Sequence, residues 1–300
     1  MRWNLTLAAL AASWGFIAVL VAAVELGAEP LAFGRLALAA ATLALVAAAS
    51  GSLSALRPGR RLLPLAVLGA VQGAHWLLFF LAVELGSVAL AVITFYAAPV
   101  LIALAAPMAL REPLSRVTLA SLVPGAAGIA LVATGGDAGG RVSAAALAAG
   151  LGSALAYAVL VLLSKRLLSG RVPPLTVAFW DCLVGAVVIA PALLLADRVL
   201  PDGGGEWGVV VLLGVVFTGA STLVYATLLR HVTAQAAGVL TFLEPVAAVV
   251  LAALLVDEPL TLEVVVGGLL VVAAGIAVVL LEPAGRAVTE AAAAVGSEAS

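Results

Sequence analysis

The feature that most limits what this chain can fold into is a succession of ten apolar stretches, each close to twenty residues long. They fall at 5–24, 29–49, 62–83, 87–110, 117–134, 143–164, 174–196, 207–229, 233–256 and 262–281, and the short breaks between them hold most of the charges. A bilayer-spanning helix needs about 20 mostly apolar residues, because lipid offers its backbone no hydrogen-bond partners. Hydrophobic residues make up 65% of the chain and charged ones 10%, against about 45–50% and about 25% in soluble domains. The expected fold class is therefore all-α, a polytopic membrane protein with ten transmembrane helices. The first stretch follows Arg2 in the manner of a signal peptide. It is long for one, and nine further spans still need a leading helix, so it is read as an uncleaved span.

Loop charges set the orientation, since Lys and Arg accumulate on the cytoplasmic side. With the N-terminus inside, that side carries eleven: Arg2, Arg57, Arg60, Arg61, Arg111, Arg116, Lys165, Arg166, Arg171, Arg230 and Arg286. The outer side carries only Arg141 and Arg198, and Arg35 lies within the second span. An even number of spans then puts both termini in the cytoplasm of a bacterial-type inner membrane, with residues 285–300 as a flexible tail. The net charge of −2 gives no basic surface for nucleic acid, and a single cysteine, Cys182, allows neither an internal disulfide nor a thiolate metal cluster. No cofactor or metal is expected.

The chain also repeats itself. Residues 95–114 read FYAAPVLIALAAPMALREPL and residues 241–260 read TFLEPVAAVVLAALLVDEPL. A shift of 146 places Pro99 on Pro245, Glu112 on Glu258 and Pro113 on Pro259, and AAGIA at 126–130 returns at 273–277 after a one-residue slip. Two five-helix halves follow, 1–137 and 138–284. Five is odd, so the second enters the membrane inverted. Arg111, which maps onto Asp257, agrees with this. Inverted repeats are characteristic of secondary transporters, whose site lies near the midplane between the halves.

Polar residues sharing a helix face point to that site. In the third span Gln72, His75, Trp76 and Phe79 fall at i, i+3, i+4 and i+7. The same shift turns them into Thr218, Ser221, Thr222 and Tyr225 of the eighth. Each stripe either lines a cavity or supplies hydrogen bonds between helices. For Gln72 and His75 the cavity is favoured, because desolvating a titratable ring among lipid is unfavourable. Further wall candidates are Trp14, Tyr157, Tyr96, Phe179 and Trp180, whose midspan depth argues against interface anchoring but leaves packing open. Gly69 and Gly73, spaced GxxxG, suit a close helix contact; the oligomeric state stays open, monomer included.

Three charges lie inside spans: Arg35, Asp181 and Glu244. Burying one costs roughly 2.5–3.5 kcal/mol even on the insertion scale. Arg35 either binds a substrate carboxylate or ties backbone carbonyls near an outer gate. Asp181 either snorkels or bonds a neighbouring hydroxyl. Pro245 removes a hydrogen bond at the middle of its helix, frees the carbonyl of Thr241 and predicts a kink that Pro99 duplicates. Both are hinge candidates. Glu244 is not duplicated, its counterpart being Ala98. It either binds an amino or cationic group, carries a coupling proton, or braces the kink through a hydroxyl such as that of Thr241. Glu112-Pro113 and Glu258-Pro259 end their spans and read as turn and capping signals for the helices that follow.

SWG at 13–15, PLAFGRLALAA at 30–40, YAAPVLIALAAPMALREPLS at 96–115 and LEPVAAVVLAALLVDEPLT at 243–261 together resemble the EamA-type drug/metabolite transporters. The resemblance covers residues 5–281. It implies ten helices around a central cavity, alternating access and export of amino acids or other small metabolites, and its motif positions fall on Trp14, Arg35, Glu244, Pro245, Glu258 and Pro259. Within the family, the aromatic third span with His75 is most similar to YddG-type exporters of aromatic and other amino acids. The expected substrate is a small amphipathic metabolite, most readily an amino acid, with organic-cation or multidrug efflux as the alternative. No phosphate-binding GxxxxGK[ST] loop and no GxSxG or HExxH arrangement is present, which argues against ATP-driven transport and against an enzyme.

Overall fold

The computed structural model describes residues 2–134, 143–255 and 261–281. Among them the chain forms ten apolar spans. Span 1 is α1 (Arg2–Ser13) and α2 (Gly15–Ala22); span 2 is α3 (Ala28–Ala49); span 3 is α4 (Leu62–Leu85); span 4 is α5 (Val88–Phe95) and α6 (Ala98–Leu110); span 5 is α7 (Arg116–Thr134). Span 6 is α8 (Ala144–Ser169), and span 7 is α9 (Pro174–Ile189) with a 3₁₀ extension to Leu195. Span 8 is α10 (Gly203–Leu212), a π-helical stretch and α11 (Ser221–Leu229); span 9 is α12 (Ala234–Leu240) and α13 (Leu243–Leu255); span 10 is α14 (Leu262–Leu281). Eight spans are long and apolar enough to cross a bilayer, and the fifth and tenth contribute shorter apolar helices. Leu45, Met108, Leu194 and Leu269 are largely exposed on the outside of the bundle. Such a surface suits lipid rather than water.

Spans 4 and 9 break alike, as the duplicated prolines predict. α5 stops at Phe95 and α6 restarts at Ala98, while α12 stops at Leu240 and α13 restarts at Leu243. Pro99 and Pro245 sit in the first turn of the restarted helices, where a missing N–H leaves no bond unmade. The carbonyl that Pro245 frees, that of Thr241, accepts instead from the Glu244 N–H at 3.1 Å. The two kinked spans cross at this level: Gly238 lies against Pro99, and Tyr96 meets its repeat mate Phe242 with ring centroids 5.6 Å apart.

The repeat extends to individual contacts. LGAVQGAH at 68–75 and LGVVFTGAS at 213–221 differ by one inserted residue, and the second is where the helix widens into its π turn, Leu213–Ala220. The bulge absorbs the insertion and restores the register. A β-carbon at Gly69 would sit 2.6 Å from the Trp180 carbonyl oxygen and 3.1 Å from that of Asp181, and one at Gly73 would sit 3.0 Å from the Gly185 carbonyl. In the other half, Gly214 would meet the Arg35 carbonyl at 3.3 Å and Gly219 the α-carbon of Ala39 at 3.2 Å. Arg35 and Asp181, like Ala39 and Gly185, are 146 residues apart. Span 3 therefore packs on span 7 as span 8 packs on span 2. The close contact that the GxxxG pair suits is made inside the bundle.

Gly69→Leu tests this packing. The side chain would collide with the backbone of span 7, and overpacking of this kind typically costs about 1–3 kcal/mol. The variant should melt several degrees lower in detergent, whereas Gly204→Ala, with open space around it, should melt like the parent.

Candidate functional site

A cavity of about 400 Å³ lies between the two halves. Both polar stripes face it: Gln72, His75, Trp76 and Phe79 from α4, and Thr218, Ser221, Thr222 and Tyr225 from span 8. Trp14, Arg35, Tyr96, Tyr157, Asp181, Glu244 and Pro245 also line it. Pro99 is buried and is not among the lining residues.

Two of the sequence candidates belong elsewhere. Phe179 and Trp180 are not among the cavity-lining residues. Phe179 packs with Phe33 and Leu183 in a separate cluster on the flank of α9. The Trp180 indole N–H donates to the Leu56 carbonyl at 2.9 Å, tying α9 to the short 3₁₀ turn Leu53–Leu56. Asp181, the next residue, is the one that α9 turns inward; 100° of helical rotation per residue separates the roles. Phe95 is the main aromatic the sequence reading missed. Its ring is 5.1 Å from those of His75 and Tyr96, 5.2 Å from Tyr157 and 5.9 Å from Phe79, at the centre of the aromatic wall. It sits three residues after Val92, another lining position, so the helical spacing held the signal.

Spans 3 and 6 are joined by His75. Its Nδ1 lies 2.8 Å from the Ser153 hydroxyl, which donates its own proton to the His75 carbonyl at 3.1 Å. In the neutral ring this puts the imidazole proton on Nδ1 and leaves Nε2 as an acceptor. The position equivalent to His75 is Ser221, and it too receives a bond from the other element at its side: the Trp14 indole N–H donates to the Ser221 hydroxyl at 3.1 Å. The two links are otherwise unequal. α4 and α8 pack along their lengths, whereas spans 1 and 8 touch sparsely, with Trp14 meeting Ser221 and Tyr225 and Phe16 meeting Phe217.

The charged residues divide by repeat. The Arg35 Nε donates to the Thr218 hydroxyl at 3.2 Å, and its guanidinium carbon is 5.5 Å from the centroid of the Trp76 ring. Arg35 and Glu244 line the same cavity and lie close enough for their charges to interact. The Thr241 hydroxyl, a candidate partner for Glu244, donates instead to the Gly238 carbonyl at 2.7 Å. Asp181 neither snorkels nor finds a hydroxyl donor: it is buried, and its Oδ1 has no hydrogen-bond partner among the described residues.

Below the cavity, on the face bearing Arg61, Arg166 and Arg230, a polar knot seals the bundle. Buried Lys165 donates to the carbonyls of Leu229 at 2.7 Å and Val232 at 2.6 Å and lies 3.9 Å from Glu112 Oε1. Glu112 Oε2 accepts from the Ala234 N–H at 2.9 Å. The Gln235 amide donates to the Pro113 carbonyl and accepts from the Ser115 N–H. Glu112 is thus a helix cap, though for α12 of the opposite half rather than for the helix that follows it. Glu258 and Pro259 fall outside the described residues.

The profile of the EamA-like transporter family matches residues 1–134 and, separately, 144–281. The chain belongs to the EamA-like transporter family. A relative in sequence, the uncharacterized transporter YxxF of Bacillus subtilis, is 27% identical over 182 residues, 59% of this chain and only 57% of that protein. An uncharacterized transporter of Archaeoglobus fulgidus is 28% identical over 217 residues, 72% of this chain and 75% of the relative. A solved crystal structure shares the fold, with TM-score 0.79 over 93% of this chain and 97% of that one at 22% identity. This EamA-like protein is accordingly a multi-pass membrane protein of a transporter family.

A cysteine placed at Ala18 tests which side chains border the cavity. Ala18 lines it, and Cys182, the chain's only cysteine, is fully buried. Ala18→Cys protein in detergent should react with a water-soluble maleimide at least tenfold faster than the parent, and a bound substrate should slow that reaction.

Proposed function

We propose that this protein exports small amphipathic metabolites, most readily amino acids with apolar or aromatic side chains, across the cytoplasmic membrane by alternating access. The observation that carries the reading is the cavity's composition. Both repeats contribute to it, it presents a guanidinium and carboxylates to one solute, and an aromatic wall of Trp76, Phe79, Phe95 and Tyr157 stands beside them. An amino acid offers one feature for each. About 400 Å³ lies within the range of small-molecule pockets, roughly 300–1,000 Å³.

Alternating access is supported by the unequal helix pairs. In an inverted repeat, spans 3 and 6 of one end state exchange roles with spans 8 and 1 of the other. Here the first pair is closed and the second sparse. The Lys165–Glu112 knot then seals the side rich in Lys and Arg, which the loop charges assign to the cytoplasm, with both termini there. Residues 1–137 and 138–284 act as the moving units, Pro99 and Pro245 marking where spans 4 and 9 bend. Organic-cation efflux is the second reading. It is favoured by one observation, the two carboxylates set against one guanidinium in the lining.

Counterflow in proteoliposomes tests the assignment. Labelled leucine, phenylalanine or tryptophan should exchange against the same unlabelled amino acid. Exchange of an organic cation with no amino-acid exchange would replace the first reading with the second. For Glu244→Gln, amino-acid exchange should fall at least tenfold and lose any dependence on pH. Exchange that is unchanged and independent of pH in both proteins would leave Glu244 as a brace for the kink.

A further inference from the structure

We infer that Asp181 and Gln72 together form the subsite for the substrate's nitrogen donor, an ammonium or primary amine, in the cavity that Arg35 also lines. The inference rests on the amphipathic-solute reading and names the part of the site that takes the cationic end.

The two repeats put the same pair of positions to opposite use. Arg35 and Thr218 on spans 2 and 8 correspond to Asp181 and Gln72 on spans 7 and 3, each by a shift of 146. In the first pair a donor meets an acceptor, and the bond is made at 3.2 Å. In the second, both residues line the cavity and each keeps an acceptor oxygen unbonded beside it. Asp181 Oδ1 and Gln72 Oε1 are buried atoms without hydrogen-bond partners among the described residues, although Asp181 is only 6% exposed. They are neighbours. A β-carbon at Gly185, one helical turn beyond Asp181, would lie 3.2 Å from Gln72 Cγ, and Gly69, three residues before Gln72, faces the Asp181 carbonyl.

A carboxylate and an amide oxygen cannot satisfy each other, since both only accept. An unpaired acceptor buried in a membrane protein is unfavourable until a donor arrives. A group with two or three N–H bonds and a positive charge answers both at once. Glu244 lies within electrostatic reach of Arg35, whereas Asp181 forms no ion pair among the described residues. The solute would then lie with its nitrogen toward spans 3 and 7 and its acidic end toward Arg35.

The test compares three probes: an amino acid, the 2-keto acid with the same side chain, and a primary alkylamine. Binding to purified protein is read from quenching of tryptophan fluorescence, with the melting temperature as a folding control. Asp181→Asn should weaken the amino acid and the amine at least tenfold and leave the keto acid within about twofold. Gln72→Leu should weaken the same two by about threefold, and Asp181→Glu should recover part of the loss. Equal weakening of all three probes, or an Asp181→Asn protein that binds the amino acid as the parent does, would overturn the subsite. The second result would follow if Asp181 gave its own proton to Gln72, and it would leave the amino-acid reading standing. A parent that binds the amine but no amino acid, with the amine lost in Asp181→Asn, would keep the subsite and retire the amino-acid reading. A parent that binds neither nitrogen probe would overturn both.

Discussion

The close backbone approach of span 3 to span 7, and of span 8 to span 2, is the constraint from which the rest of the bundle follows. Lipid tails compete as well as leucine for apolar surface, so helices in a membrane gain from contact only when they come near enough for backbone to touch backbone. Gly69 and Gly73 in one half, and Gly214 and Gly219 in the other, permit that approach. Once each pair is seated, the polar residue just before the second glycine, Gln72 or Thr218, is carried to the inner edge of the contact. Its partner from the neighbouring helix, Asp181 or Arg35, comes with it. The cavity is what remains where these four edges meet the kinks of spans 4 and 9.

Much of this architecture was legible in the sequence because it depends on periodicities that lipid enforces strictly. Span number, the paired kinks and the two polar stripes are all patterns of spacing, and all eight stripe residues face one cavity. The legible part ended where rotation about a helix decides the outcome. Phe179, Trp180 and Asp181 are consecutive, and nothing in a short apolar helix says which of three neighbours turns inward. Span 7 turns the aspartate in because Gly185 on the same face admits Gln72. Glu112 shows a different limit. Its capping role was readable, but its target lies 122 residues away on α12, a distance that no local rule spans.

The π turn of span 8 illustrates how an inserted residue can be absorbed without loss of symmetry. Phe217 has no counterpart in span 3, yet the residues on either side of it keep their partners on span 2. The widened turn adds Phe217 itself to the cavity wall. The halves therefore match in their contacts while differing in the chemistry they present, which is what a site for an asymmetric solute requires of a near-symmetric scaffold.

The knot around Lys165 makes the same point about energy. The stretch of span 1 that corresponds to the Lys165 turn, Val19 to Ala22, is wholly apolar. An exchange of roles between the halves would break two charged hydrogen bonds to carbonyls on one face and remake none from that position on the other. In the proposed exchange of roles, the two end states are thus unequal wells. On that proposal a solute that drives the exchange must do so by binding the state without the knot more tightly.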